Sequence, residues 1–182
     1  MEKADELYQS FEEKLTALSG QCAHCSKAEL IPTLKKVFSD RGDTTAAVVQ
    51  TEYVKELGIA EGLKTAGITV HTDHIRLNCE TDQVGIIDAQ YGLADLGSVI
   101  QLHQNVDERI AAIMPPFSIV IIKRSTILDN LDTMIDMLSA MPEMPNFVGF
   151  ITGPSRTADI ECVGTVGVHG PLEILVIVVD DQ

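Results

Sequence analysis

The chain contains no tryptophan, and phenylalanine and tyrosine together make up only 4% of its 182 residues. Its core therefore has to be aliphatic. Basic residues are scarce as well: 13 Lys and Arg stand against 27 Asp and Glu, a net charge of −14. A field of that sign repels phosphate backbones and anionic bilayers, which argues against nucleic acid and membrane surfaces as partners. No apolar run approaches the roughly 20 residues that a spanning helix needs. The opening stretch MEKADELYQSFEEK is acidic and has no apolar segment of the kind found in secretory signals, so a cytoplasmic location is expected. The four cysteines form no disulfide framework in such a setting.

What is present is an ordinary globular composition, 45% hydrophobic and 22% charged, in a length that predicts one domain over residues 1–182. Leu7, Phe11, Leu15 and Leu18 recur at helical spacing and predict a helix over 5–19 that stops at Gly20. Ser26 and Glu29 have the capping-box spacing and open a second helix carrying Leu30, Leu34 and Val37. From residue 45 onward strands and helices alternate. Strands are predicted at 46–50, 68–72, 84–89, 97–102, 117–122, 147–152 and 173–179, and helices around Val54–Leu63 and over 127–140. The runs SIVII and ILVIVV are apolar at almost every position, as in strands covered on both faces. The expected fold is thus three-layer α/β/α with a mostly parallel sheet. Residues 1–44 form an added helical portion and 45–182 the α/β core.

Several motifs carry possible chemistry. QCAHC (21–25) has CxxC spacing with a histidine inside, which suggests zinc or a redox pair. However, it lies between a helix stop and a helix cap, so it should be extended, and in an extended chain Cys22 and Cys25 point to opposite faces. The structural role is preferred, and no metal site is expected. HTDH (71–74) reads as a strand end entering a polar loop. DAQYGLADLGS (88–98) places Asp88 and Asp95 beside Gly92 and Gly97, where a carboxylate can act as base or nucleophile, or simply cap a turn. GPSRT (153–157) follows an apolar strand and precedes a helix-like segment. Such a helix start offers free N–H groups to an anion, with Ser155 or Thr157 as cap and Arg156 as a local cation in an acidic chain. A capped turn without ligand is the alternative. GVHGP (167–171) holds His169 between two glycines, as a general acid or base or as a loop tie.

ITGPSRTADIE, followed by GVHGP and the strand ILVIVV, resembles the C-terminal signature of the lactate-utilisation (LUD) domain family, and its small LutC-like subunit in particular. VGIIDAQYGLADLGSVIQL and IMPPFSIVII resemble the family's middle segments, with Asp95-Leu96-Gly97 where the family more often has Glu-Thr-Gly. The likeness extends over about residues 45–180. It implies a fold similar to the NagB/RpiA/CoA-transferase-like group. It also implies a part in oxidising L-lactate to pyruvate beside partner subunits that carry iron–sulphur clusters. No cofactor is expected on this chain, whose scattered cysteines suit no cluster. The candidate ligand-binding residues are Gly153, Pro154, Ser155, Arg156, Thr157, Asp159, Gly97 and Ser98, with Asp95 and His169 as candidate catalytic groups. Competing functions are a stand-alone CoA-transferase-like or sugar-phosphate-binding enzyme and a non-catalytic scaffold.

Overall fold

The computed structural model describes residues 2–103, 105–157, 165–166 and 169–181. The chain opens with helix α1 (Glu2–Ala17), strand β1 (Gln21–Ser26) and helix α2 (Lys27–Arg41). Next come β2 (Thr45–Val48), the short helices α3 (Glu52–Glu56) and α4 (Ile59–Lys64), β3 (Thr69–His71) and α5 (Ile75–Asn78). The middle holds β4 (Val84–Asp88), β5 (Tyr91–Leu93), β6 (Ser98–His103), α6 (Val106–Ile113), β7 (Phe117–Lys123) and β8 (Ile127–Leu128). Helix α7 (Leu131–Ser139), β9 (Phe147–Ile151), β10 (Arg156–Thr157), β11 (Thr165–Val166) and β12 (Glu173–Asp180) complete the order.

Local chemistry accounts for the boundaries. The N–H and hydroxyl of Ser26 both donate to Glu29 Oε2, at 3.0 and 2.7 Å, so the capping box starts α2 at the expected place. Gly42 ends that helix in the left-handed region, which a residue without Cβ enters at little cost. Gly58, also left-handed, divides the helix expected around Val54–Leu63 into α3 and α4.

Among the described residues, β1-β12-β7-β4-β2-β3 form a six-stranded sheet in which every pairing is parallel. The α/β expectation holds. Strand β4 is buried along its whole length, β7 in all but its last residue and β12 in all but its two ends, as strands between two helix layers must be. Cys22 faces Tyr8 and Glu12 of α1 and Cys25 faces Thr33 of α2, so the first two helices lie on opposite faces of the sheet. They are covers for the sheet, not a lobe beside it, and QCAHC is an edge strand between them.

The segments expected at 97–102 and 147–152 are strands, but they belong elsewhere. They pair as β6 and β9 in a second sheet of order β8-β5-β6-β9, where β6 runs antiparallel to both neighbours. An apolar run signals burial but not which sheet it joins. Strands β5 and β8, of three and two residues, are too short to leave a periodic trace.

Candidate functional site

The strand order locates the ligand crevice. From β2 the chain moves outward to edge strand β3, then returns to the other side of β2 as β4 and continues away through β7 and β12. The crossovers therefore diverge between β2 and β4, and open α/β sheets bind ligands beyond the carboxyl ends of strands at such a switch point. A cleft of about 420 Å³ opens there. Thr51, Glu52 and Tyr53 reach it from beyond β2, Asp88, Ala89, Gln90 and Tyr91 from the end of β4, and Lys123 and Thr126 from the end of β7.

The polar groups of this cleft are unevenly paired. Asp88 is 6% exposed and accepts from Thr51 Oγ1 at 2.9 Å and from Gln90 Nε2 at 3.4 Å. Burial raises its pKa above the usual carboxylate range, against the opposing pull of the Thr51 hydroxyl. The Tyr53 hydroxyl is buried without a hydrogen-bond partner among the described residues, and burial raises its pKa too. Lys123 Nζ lies 4.5 Å from the centre of the Tyr53 ring, a cation–π contact, and its N–H donors have no hydrogen-bond partner among the described residues. One cation, one carboxyl of raised proton affinity and one hydroxyl without a partner among the described residues thus converge on a concave site, which can hold a small anion and move a proton beside it.

The residues singled out from sequence lie elsewhere. Asp95 is exposed and accepts from the N–H of Leu131 at 3.4 Å, at the first turn of α7. Gly97 is left-handed (φ 61°) and so close to α1 that a Cβ would fall 2.2 Å from Leu15 N. Ser98 Oγ is 2.8 Å from Thr152 Oγ1, which brings the Gly97 turn beside Gly153. Gly153 in turn presses on the end of α1, where a Cβ would meet Leu18 O at 2.7 Å. Pro154 is buried and Ser155 half-buried. Structure thus brings Gly97, Ser98, Gly153, Pro154 and Ser155 together, around the last turn of α1.

The GPSRT turn differs from its expected setting in two respects. Strand β9, which leads into it, belongs to the second sheet, so the rule for carboxyl ends of parallel strands does not apply. The backbone of Arg156 and Thr157 is strand β10, paired with Val166 and Thr165, so these two residues are extended, and the helix-like segment expected after them lies over residues 158–164, outside the described residues. Asp159 lies outside the described residues. His169 is exposed and lies three residues before Leu172, whose N–H donates to Pro116 O at the amino end of β7. Neither Asp95 nor His169 borders the cleft.

A pair that no sequence motif marks joins a buried histidine to a half-buried carboxylate. His103 Nδ1 lies 2.6 Å from Glu108 Oε2, joining the end of β6 to the first turn of α6. The available signal was Asn105, an N-cap three residues before Glu108, with Val106, Ile110 and Ile113 at helical spacing behind it. In HTDH, His71 Nδ1 is 2.9 Å from the buried Asp82 carboxylate, tying β3 to the turn before β4. Burial pushes the Cys22 thiol up to about 12, so it is protonated at neutral pH. Among the described residues no three His, Cys, Asp or Glu side chains gather as a metal would require. No helix among them is long and apolar enough to cross a membrane.

Comparison with known proteins agrees with this architecture. The family model of the LUD domain matches residues 8–179. Lactate utilization protein C of Geobacillus sp. (strain WCH70) is 31% identical, over 98% of this chain and 80% of that protein. The Escherichia coli (strain K12) protein YkgG is 29% identical over 88% of this chain and 74% of its own length. The crystal structure of a DUF162 family protein from Deinococcus radiodurans superposes with a TM-score of 0.70, at 20% identity, covering 97% of this chain and 98% of that one. That likeness shows the fold. With a domain model matched almost end to end and relatives named for lactate utilization, the chain belongs to the LUD domain family of lactate utilization proteins.

Proposed function

We propose that this chain is a LutC-like subunit of a complex that oxidises L-lactate to pyruvate, and that its own contribution is the cleft at the ends of β2, β4 and β7. The observation that carries the reading is the convergence of Lys123 and Asp88 at the switch point of the parallel sheet. Lys123 holds a small carboxylate as a point charge. Asp88, whose proton affinity is raised by burial, exchanges a proton with the ligand. Oxidation of lactate releases two electrons and two protons, and the electrons pass to iron–sulphur clusters on partner subunits. This chain supplies no cofactor in the scheme. In this reading the anion expected at the GPSRT turn is held at Lys123 instead.

The test is a tagged pull-down from lactate-grown host cells, with lactate-dependent dye reduction measured on the eluate. Iron–sulphur partners that arrive together with activity are the expected result. An eluate of this chain alone, inert towards lactate, refutes the subunit reading and directs attention to CoA esters and sugar phosphates as ligands of the isolated protein.

A further inference from the structure

A second concavity lies apart from the cleft and shares no lining residue with it. It is a groove of about 470 Å³ between α6 and β9, within the range of small-ligand pockets. Helix α6 packs on the main sheet through its small residues. Ala111 is fully buried, so close to β4 that a Cβ on Gly85 would fall 2.0 Å from Ala111 O. The larger side chains Val106, Ile110 and Ile113, together with Arg109, follow the i, i+3, i+4, i+7 spacing and line the groove instead. A stripe of that kind is ordinarily buried, yet Val106 is 48% and Ile113 53% exposed. On the opposite wall Phe147, Gly149 and Ile151 alternate onto one face of β9. Gly149 keeps the space open, and the Phe147 ring lies over it, 2.7 Å from where a Cβ would stand.

Arg109 is the one charged residue among those that line the groove. Its guanidinium stacks on the Phe147 ring, 4.9 Å from the centre, and has no carboxylate partner among the described residues, in a chain with 27 acidic side chains. The carboxylate of its neighbour Glu108 is engaged by His103. Stacking uses the face of a guanidinium, whereas its hydrogen bonds are made at the edge, in a fork that matches a carboxylate. A single positive charge calls for a singly charged head group, and apolar walls on both sides call for a hydrocarbon tail. The net charge of −14 disfavours an anionic bilayer as the source of that tail, which leaves a free acid. We propose that this groove binds a medium-chain aliphatic carboxylic acid. Its carboxylate meets Arg109, and its alkyl chain lies along Val106, Ile110 and Ile113, against Phe147 and Ile151. All of these side chains line the groove as it stands. The proposal is independent of the cleft and of the lactate reading.

Isothermal titration of the purified chain with hexanoate, octanoate and 1-octanol tests it. Each buried methylene is worth about three- to fourfold in affinity, so octanoate should bind the wild type about tenfold tighter than hexanoate. It should also bind about tenfold tighter than 1-octanol, which has the chain without the charge. Arg109→Gln, at a half-buried position, should remove this advantage of octanoate and keep the weaker binding of 1-octanol, which reports an intact groove. Gly149→Val fills the groove from an edge strand that accepts a β-branched residue, and it should abolish binding of all three compounds. The proposal is overturned if octanoate does not bind, if it binds no tighter than hexanoate or 1-octanol, or if either variant holds it as tightly as the wild type.

Discussion

Asp88→Asn should lower lactate-dependent dye reduction by the assembled complex about 10²–10⁴-fold while leaving the chain folded. The two effects separate because Asp88 is costly to the fold. Its carboxyl is 6% exposed, and burial raises its folded-state pKa. A raised pKa means that the stabilising contribution of the protonated form is complete below the unfolded value, about 3.9. That contribution is lost as pH rises through the folded value, so at neutral pH the charged form weakens the fold. Asparagine keeps an oxygen to accept from Thr51 and cannot ionise. Chemical denaturation at pH 7 should therefore show Asp88→Asn more stable by about 0.5–2 kcal/mol, with the gain disappearing as pH falls towards 4. An inactive, stabilised variant marks a residue kept for chemistry. An active one removes Asp88 from the mechanism.

Gly97→Ala should be among the most damaging single changes in the chain. The residue is left-handed, which costs an L-residue about 1–2 kcal/mol. The added methyl would also fall 2.2 Å from Leu15 N and 2.6 Å from Lys14 C, backbone atoms in a helical turn that cannot rotate away. Overpacking of this kind costs typically about 1–3 kcal/mol more. Leu15 is 1% exposed, so α1 would have to lift from the core to relieve the clash. Total stabilities are about 5–15 kcal/mol, so the midpoint of urea unfolding should fall sharply. This outcome assigns Gly97 to the packing of α1. A variant of unchanged stability that loses binding of a small anion would restore it as a ligand residue.

These two residues show what the sequence could reveal. SIVII and ILVIVV are apolar almost throughout, and with the alternation of strands and helices that marks covered parallel strands. The capping box at Ser26 and the left-handed Gly42 fixed α2 from local chemistry. Parity along an extended segment separated Cys22 from Cys25. Site geometry is another matter. The cleft exists because β3 lies outside β2 while β4 lies inside it, and strand order is a property of long-range pairing that no local pattern encodes. Asp88 was visible as a carboxylate at a strand end, but Lys123, 35 residues later, joins it only through the parallel register of β4 with β7. Gly97 and Gly153, expected beside a ligand, lie against α1, and such a close approach demands the same missing Cβ. His103 and Glu108 escaped notice because a strand end and a helix start met across a short connection, with neither residue inside a recognisable motif.

The central claim, that the carboxyl-end cleft is where this subunit meets its ligand, is tested most directly by Lys123→Gln. The measurement is the lactate concentration giving half-maximal dye reduction by the complex carrying that variant, with its incorporation quantified in the same preparation. Loss of the cleft's anion anchor should raise that concentration at least about tenfold with the subunit still in place. An unchanged half-saturation in a fully assembled complex, or no lactate-dependent rate with the wild-type chain, would contradict the account.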